Sequence, residues 1–155
     1  MYINIFKKIK LGTGVLNIYV MKKVLILDDD SYYQLAAKAA IDGAFEAVCP
    51  NCFEIVNEIK NDLGKYLTKI ISEEKPCVIV TDIMYGHSPA LMYAGFDIAQ
   101  YVKENYPDIP VIGMSNGCCA QKRMETSGMF KLIAKTWLKT GLLSAIQECL
   151  DSKQQ

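Results

Sequence analysis

The sequence has one histidine, no second C-x-x-C motif to accompany the one at Cys49–Cys52, and no excess of charge of either sign. A four-ligand zinc site would therefore need distant cysteines to converge, and none is expected. The 17 basic and 17 acidic residues balance, which argues against direct binding of nucleic acid by the whole chain. No apolar run approaches the ~18 residues of a membrane span, so stable membrane insertion is not expected.

The N-terminal segment differs from the rest in charge. Residues 1–23 contain five lysines and no acid. The apolar stretch after Lys10 loosely resembles a signal peptide, but no small-residue cleavage site follows it. We interpret 1–20 as an appendage and 21–155 as the folded domain, with a basic amphipathic segment lying on a membrane or partner as the alternative for 1–20. Without an export signal, reduced cysteines and a cytoplasmic location are expected.

Short apolar runs alternate with helical stretches five times. The pattern predicts strands at 24–27, 46–49, 78–80, 111–114 and 132–134. It predicts a helix capped by Ser31, a helix over 53–72 with a possible break at 61–64, and helices over 95–105, near 118–127, and from a cap at Thr140. Continuous apolar strands between helices predict an α/β fold, a doubly wound parallel sheet covered on both faces.

Polar side chains follow the predicted strands where each one ends. They are Asp28, Asp29, Asp82, Ser115 and Lys135. Because the carboxyl ends of parallel strands share one edge of the sheet, we expect these side chains to meet there, where ligands bind in such folds.

This combination of residues favours phosphoryl chemistry. Asp28, Asp29 and Asp82 would repel one another unless a cation neutralised them, and oxygen ligands with open water positions suit Mg²⁺. An ammonium group from Lys135 and a hydroxyl from Ser115 complete the groups that stabilise a phosphoryl group in transfer. Asp82 lies at the centre of the group, so it is the expected nucleophile, with an aspartyl phosphate as intermediate.

Four segments resemble the receiver domain of two-component response regulators of the chemotaxis-regulator type. They are K-V-L-I-L-D-D-D, V-I-V-T-D-I-M, G-F-D-I-A-Q-Y-V-K-E-N-Y-P-D-I-P-V-I-G-M-S-N and I-A-K-T-W. The resemblance covers about residues 22–151. It implies a flavodoxin-like fold, in which a five-stranded parallel sheet of order 2-1-3-4-5 carries helices on both faces.

The resemblance also implies roles at the metal site. Asp28 and Asp29 match the family's acidic pair, with Asp29 the more direct Mg²⁺ ligand. Asp82 matches the phosphoacceptor, and Met84 matches the residue that gives its backbone carbonyl to the metal.

The same resemblance implies the activity. Ser115 matches the hydroxyl residue that turns toward the phosphoryl group, and Lys135 matches the lysine that pairs with it. Such a protein takes its phosphoryl group from a histidine kinase or a histidine phosphotransfer protein. It catalyses its own phosphorylation and dephosphorylation rather than acting as a conventional enzyme. Since no effector domain follows Asp151 in this sequence, we expect a stand-alone receiver whose output is contact with a downstream protein.

Four features depart from the family pattern. Thr136 stands where a cis proline usually follows the lysine, and a cis bond to threonine costs about 3–4 kcal/mol, so a trans bond is expected. Leu132 stands at a usually aromatic switch position. Asn116 replaces a small residue, which predicts narrower access to Asp82. The loop before Gly95 is about five residues longer than usual by our alignment.

Three other interpretations remain open. A pseudo-receiver would use the same fold only as an interaction surface, and the departures above favour it. A thiol-disulfide oxidoreductase would use Cys49 and Cys52, whose C-x-x-C motif follows a strand and opens a helix. A haloacid-dehalogenase-like phosphatase fits Asp28-x-Asp30 but needs an acidic pair beyond the lysine, which the sequence does not provide.

Two remaining features are interpreted more simply. His87 lies in the loop after Asp82, where it is expected to be solvated, although it could assist a water molecule. Cys118 and Cys119 are expected to pack in the fourth helix.

Overall fold

A computed structural model describes residues 5–11, 14–86, 89–116, 124 and 126–153, with side chains from Val20 onward. His87, Cys118 and Cys119 lie outside the described residues, as does most of the helix predicted near 118–127. In the part of the chain that is described, no helix is both long enough and apolar enough to cross a bilayer.

Five parallel strands form the central sheet. In chain order they are β3 (Lys23–Leu27), β4 (Glu46–Val48), β5 (Val78–Asp82), β6 (Val111–Ser115) and β7 (Lys131–Ala134). The order across the sheet is β4-β3-β5-β6-β7 and every neighbouring pair is parallel. Counted within this sheet, the order is 2-1-3-4-5, so the predicted fold is confirmed.

Four helices of eleven or more residues cover the two faces of the sheet. They are α1 (Ser31–Ile41), α2 (Cys52–Glu74), α3 (Ala94–Asn105) and α4 (Leu138–Asp151). Alternate residues of β3 point to opposite faces, as the strand period requires. Leu25 and Leu27 pack in a core with α2 and α3, whereas Val24 and Ile26 pack in a core with α1 and α4. Both faces of the sheet are therefore buried, which explains the continuous apolar strands.

An antiparallel hairpin precedes the central sheet. Its strands are β1 (Ile5–Leu11) and β2 (Gly14–Val20), which pair with each other and not with the five-stranded sheet. Within the segment interpreted as an appendage, Ile5–Leu11 and Gly14–Val20 thus form a two-stranded sheet of their own. We propose that the folded domain begins after it, near Met21.

Two predicted helix caps are wrong by one to three residues. The cap of α1 is Asp30, not Ser31, because the Asp30 side chain accepts a hydrogen bond from the Tyr32 amide. The last helix begins at Leu138 after the cap residue Trp137, so Thr140 lies inside it. The break predicted at 61–64 is a kink in α2 at Asp62, whose φ of −161° and ψ of 89° are not helical.

Gly95 permits a close approach that sets the position of the central strand end. A Cβ atom at Gly95 would lie 2.1 Å from the Asp82 carbonyl oxygen and 2.7 Å from the Ile83 Cα. Both are backbone atoms, so no side-chain rotation would relieve the overlap. Helix α3 can therefore pack beside Asp82 only if residue 95 is glycine.

We expect Gly95→Ala to lower the free energy of unfolding by at least about 2 kcal/mol, since overpacking against backbone outweighs alanine's helix propensity. Urea denaturation measures this. Gly141→Ala is the matched control, because its Cβ would make ordinary contacts of 3.8 and 4.0 Å. Equal stability of the two variants would contradict the close approach at Gly95.

Candidate functional site

The predicted site residues meet at the carboxyl edge of the sheet. Asp28 directly follows β3, and Asp82 and Ser115 end β5 and β6. The register pairs Asp82 with Met114 and Ser115 with Ala134, so Lys135 follows β7 at the same level. Parallel pairing thus brings together residues that are far apart in the sequence.

Lys135 forms ion pairs with two of the acids. Its Nζ lies 2.7 Å from Oδ2 of Asp82, in a hydrogen bond, and 2.8 Å from Oδ2 of Asp28. The lysine begins a short 3₁₀ turn, Lys135–Trp137, and its side chain is 5% exposed. The described residues include no cis peptide bond, so the bond to Thr136 is trans, as expected. The lysine therefore reaches the site without a cis bond.

Burial makes the two carboxyl groups unusually basic. Burial, followed by repulsion from Asp82, raises the pKa of Asp28 to about 6. Burial also raises the pKa of Asp82, although Lys135 and the backbone hydrogen bonds oppose the shift. The pKa of Lys135 is raised, because attraction to Asp82 and Asp28 outweighs the lowering by burial. The site is thus crowded with negative charge that one lysine does not fully neutralise.

Asp29 completes an acidic cluster. Ligand oxygens of Asp28, Asp29 and Asp82 all lie within 4.8 Å of one another. The Asp29 Oδ2 accepts a hydrogen bond of 2.7 Å from the Gly86 amide, which fixes the carboxylate. Oδ2 of Asp28 is buried and has no hydrogen bond donor, since its contact with Lys135 lacks hydrogen-bond geometry. A buried oxygen without a donor, beside two further carboxylates, fits a hard divalent cation such as Mg²⁺.

Ser115 and Met84 line the same cavity as Asp82, Asp29 and Lys135. Ser115 is buried, and Met84 is half exposed. The Asp82 carboxylate accepts a 2.7 Å hydrogen bond from the Ile83 amide, which orients it toward this cavity. All six predicted site residues are thus at one edge, and their individual roles remain predictions.

Tyr33 is a site residue that the sequence reasoning missed. Its ring lies over Lys135, with Nζ 4.1 Å from the ring centroid. Its hydroxyl accepts a hydrogen bond of 3.1 Å from Nδ2 of Asn116. No motif marks Tyr33 in the sequence, since its partners come from the far end of the chain. Asn116, noted as a departure, lines the cavity, and the narrower access to Asp82 stays a prediction.

A second tyrosine forms hydrogen bonds at the ends of the strands that lead to Asp28 and Asp82. Tyr85 is fully buried, and its hydroxyl donates to the Leu27 carbonyl at 2.8 Å while also bonding Thr81 at 2.8 Å. Burial raises its pKa well above the usual value, so it stays a neutral donor. The two hydrogen bonds of Tyr85 therefore connect the carboxyl ends of β3 and β5.

The C-x-x-C cysteines are free thiols, and one of them lines the same cavity. Cys49 is exposed, while Cys52 is buried and lines the cavity at the start of α2. Asn51 caps this helix by accepting a hydrogen bond from the Phe53 amide. Although the residue as a whole is exposed, desolvation of its partly buried sulfur raises the pKa of Cys49, whereas a reactive thiolate requires a lowered pKa. This environment weakens the oxidoreductase interpretation.

Comparisons with known proteins show the fold. No protein-family model matches the chain, and no curated protein sequence matches it significantly. Among solved structures, a response regulator from Thermotoga maritima matches with a TM-score of 0.64 at 17% identity, over 85% of this chain and 99% of that one. A CheY-like receiver domain protein from Methanospirillum hungatei matches with a TM-score of 0.63 at 19% identity, over 87% and 98%.

Other matches include an isolated receiver domain and longer regulators that match over part of their length. The receiver domain of Escherichia coli RcsB matches with a TM-score of 0.65 at 14% identity, over 86% of this chain and 95% of that one. The chain spans 61% of a Salmonella typhimurium RcsB structure and 54% of a Thermotoga maritima DrrB structure. The structural neighbours are thus response regulator receiver domains, and the chain has their fold.

Proposed function

We propose that this chain, which has the fold of response regulator receiver domains, accepts a phosphoryl group on Asp82 from a histidine kinase or a histidine phosphotransfer protein. The observation that carries the proposal is the buried arrangement around Asp82. Its carboxylate lies 2.7 Å from the Lys135 ammonium and shares a cavity with the Ser115 hydroxyl.

The proposed transfer is a displacement at phosphorus. An oxygen of the Asp82 carboxylate forms a bond to phosphorus as the bond between phosphorus and the donor's imidazole nitrogen breaks. The imidazole leaves with the electron pair of that bond and takes up a proton from solvent. Lys135 and Ser115 stabilise the charge on the transferred oxygens. The product is an aspartyl phosphate, and its hydrolysis by water regenerates Asp82.

Mg²⁺ is the proposed cofactor. Asp28, Asp29 and Asp82 would hold it, with the Met84 carbonyl as a further ligand that the family resemblance implies. When bound, the ion would neutralise negative charge on the transferred phosphoryl group. Its second effect is on the protein itself. Burial is the main reason that the pKa of Asp28 is raised, and a divalent cation would relieve the repulsion from Asp82 that adds to it.

The function is tested by incubating the protein with acetyl phosphate and Mg²⁺ and recording its intact mass. We expect one added phosphoryl group that is lost in base, and no addition when EDTA replaces Mg²⁺. A protein that never gains the group would favour the pseudo-receiver interpretation. The proposed contact with a downstream protein is then tested by comparing the binding of partner proteins by the phosphorylated and unphosphorylated forms.

Replacing Asp29 by asparagine tests the metal site. We expect Asp29→Asn to weaken Mg²⁺ binding at least about tenfold, or about 1.4 kcal/mol, because it removes a charged oxygen ligand. Isothermal titration with MgCl₂ measures the affinity. Asp42→Asn is the control, since this exposed acid follows α1 at the opposite end of the strands. An unchanged affinity in Asp29→Asn would remove Asp29 from the site.

A further inference from the structure

The Lys135 ammonium is enclosed on three sides. An ammonium group has three N–H donors. One donates to Asp82 at 2.7 Å, and the ammonium also lies 2.8 Å from Asp28 in an ion pair. The face of the Tyr33 ring lies 4.1 Å away on a further side. A cation over an aromatic face is attracted by the ring's negative face, and the attraction grows where water is excluded.

Tyr33 is itself held from two directions. Its hydroxyl accepts the hydrogen bond from Asn116, the residue after Ser115 at the end of β6. Its ring packs edge-on against Tyr32 at a centroid distance of 5.2 Å. Helix α1 carries both tyrosines in its first turn, so the ring is attached to an element that is packed on the sheet. The ring therefore has a defined place above the lysine.

The backbone leaves the lysine's long side chain unconstrained. Lys135 starts a three-residue turn after β7, and four rotatable bonds separate its backbone from Nζ. The ammonium must nevertheless be in place when a phosphoryl group reaches Asp82, because preorganised charge is what lowers the barrier to transfer. A rigid aromatic face on one side of the ammonium supplies that placement.

We propose that Tyr33 is a positioning residue that holds the Lys135 ammonium over Asp82 and thereby speeds phosphoryl uptake. The inference rests on the proposed function, since it assigns Tyr33 a part in the same reaction. Tyr33 acts through the lysine and does not touch the reacting atoms. The ring face carries this role, and the hydroxyl serves to anchor the ring to Asn116.

Three variants test the proposal. Tyr33→Leu removes the aromatic face and leaves a smaller apolar side chain. Any wider access to Asp82 would speed uptake, which is opposite to the loss expected here. Tyr33→Phe keeps the face and loses only the hydroxyl. Leu35→Ala is the control, because Leu35 lies on the same helix as Tyr33 and is 65% exposed. Uptake of phosphoryl from acetyl phosphate at saturating Mg²⁺ is followed by intact mass.

We expect Tyr33→Leu to take up the phosphoryl group about tenfold more slowly than wild type. This ratio corresponds to an increase of about 1.4 kcal/mol in the activation free energy. Tyr33→Phe and Leu35→Ala should stay within about twofold of wild type, the former rescuing the loss. The Mg²⁺ affinity of all three should equal that of wild type, because the acidic cluster is unchanged. Unchanged uptake in Tyr33→Leu, or an equal loss in Tyr33→Phe, would overturn the role of the ring face.

A second measurement does not depend on phosphorylation. Because Nζ of Lys135 lies over the Tyr33 ring, we expect the NMR resonances of the protons on the adjacent carbon to be shifted upfield by the ring current. The shift should persist in Tyr33→Phe and vanish in Tyr33→Leu. If wild type takes up no phosphoryl group, the proposed function fails, and this shift alone decides whether Tyr33 positions the lysine. Absence of the shift in wild type would overturn the positioning itself.

Discussion

Replacement of Asp82 by asparagine is expected to abolish the phosphoryl adduct. The amide has nearly the same shape as the carboxylate but is a far weaker nucleophile, and it cannot form an aspartyl phosphate. Because the amide fills the same space and Lys135 keeps its ion pair with Asp28, we expect the fold to persist. Removal of one of two neighbouring carboxylates also lowers the charge repulsion within the cluster, which works against unfolding.

The measurement is intact mass after incubation with acetyl phosphate and Mg²⁺, followed by peptide mapping of the wild-type adduct. Asp108→Asn serves as the matched control, since Asp108 is an exposed loop acid. It should be phosphorylated as fully as wild type. An adduct that persists in Asp82→Asn would place the phosphoacceptor elsewhere.

Replacement of Lys135 by methionine is expected to destabilise the protein by about 3–5 kcal/mol at pH 8 in EDTA. The change keeps the side chain's length and removes its charge, so the buried carboxylates of Asp28 and Asp82 lose their cation. Removing one partner of a buried ion pair costs this much because the remaining charge is left uncompensated. Urea denaturation gives the difference from wild type.

The loss should depend on pH in a direction that the acids determine. In wild type the pKa of Asp28 is already raised to about 6, so its carboxyl binds a proton more tightly when folded than when unfolded. For such a group, the free energy of unfolding falls as the pH rises from the pKa in the unfolded chain, about 3.9, through the pKa in the folded protein. Without Lys135 both carboxyls shift further in the same direction. The variant should therefore approach wild-type stability near pH 4 and lose most at pH 8.

Two comparisons sharpen this experiment. Lys131→Met removes an exposed ion pair between Lys131 on β7 and Glu148 on α4, and it should cost less than about 1 kcal/mol. Adding Mg²⁺ at pH 8 should restore part of the stability of Lys135→Met, because a divalent cation replaces the lost charge. A pH-independent loss would contradict the ion-pair origin of the effect.

The central fold was predictable from the sequence because it depends on local patterns. Continuous apolar runs such as Val24–Leu27 predict strands that are buried on both faces, and the intervening helical spacing requires a parallel sheet. Parallel strands end at one edge, so the polar residues that follow each run are brought together whatever the details of packing. The cluster of Asp28, Asp82 and Lys135 follows from this rule alone.

Helix caps were less predictable because adjacent residues compete for the same role. Asp30 and Ser31 both offer side-chain oxygens, and only backbone geometry decided that Asp30 accepts the Tyr32 amide. At the last helix, the turn after Lys135 leads directly into Leu138, so no polar cap residue is used.

Contacts between distant residues were decided by the tertiary structure. Sequence reasoning placed Lys135 at the site edge, but the aromatic face over its ammonium comes from Tyr33, and the hydrogen bond that holds that ring comes from Asn116. No periodicity links these three positions, because side-chain contacts across a parallel sheet depend on how α1 packs beside the strand ends. The sequence by itself determined which charges share the edge. The packing of α1 against the sheet decided that the Tyr33 ring lies over the Lys135 ammonium. This contact depends on the orientation of the helix and not on the local sequence pattern.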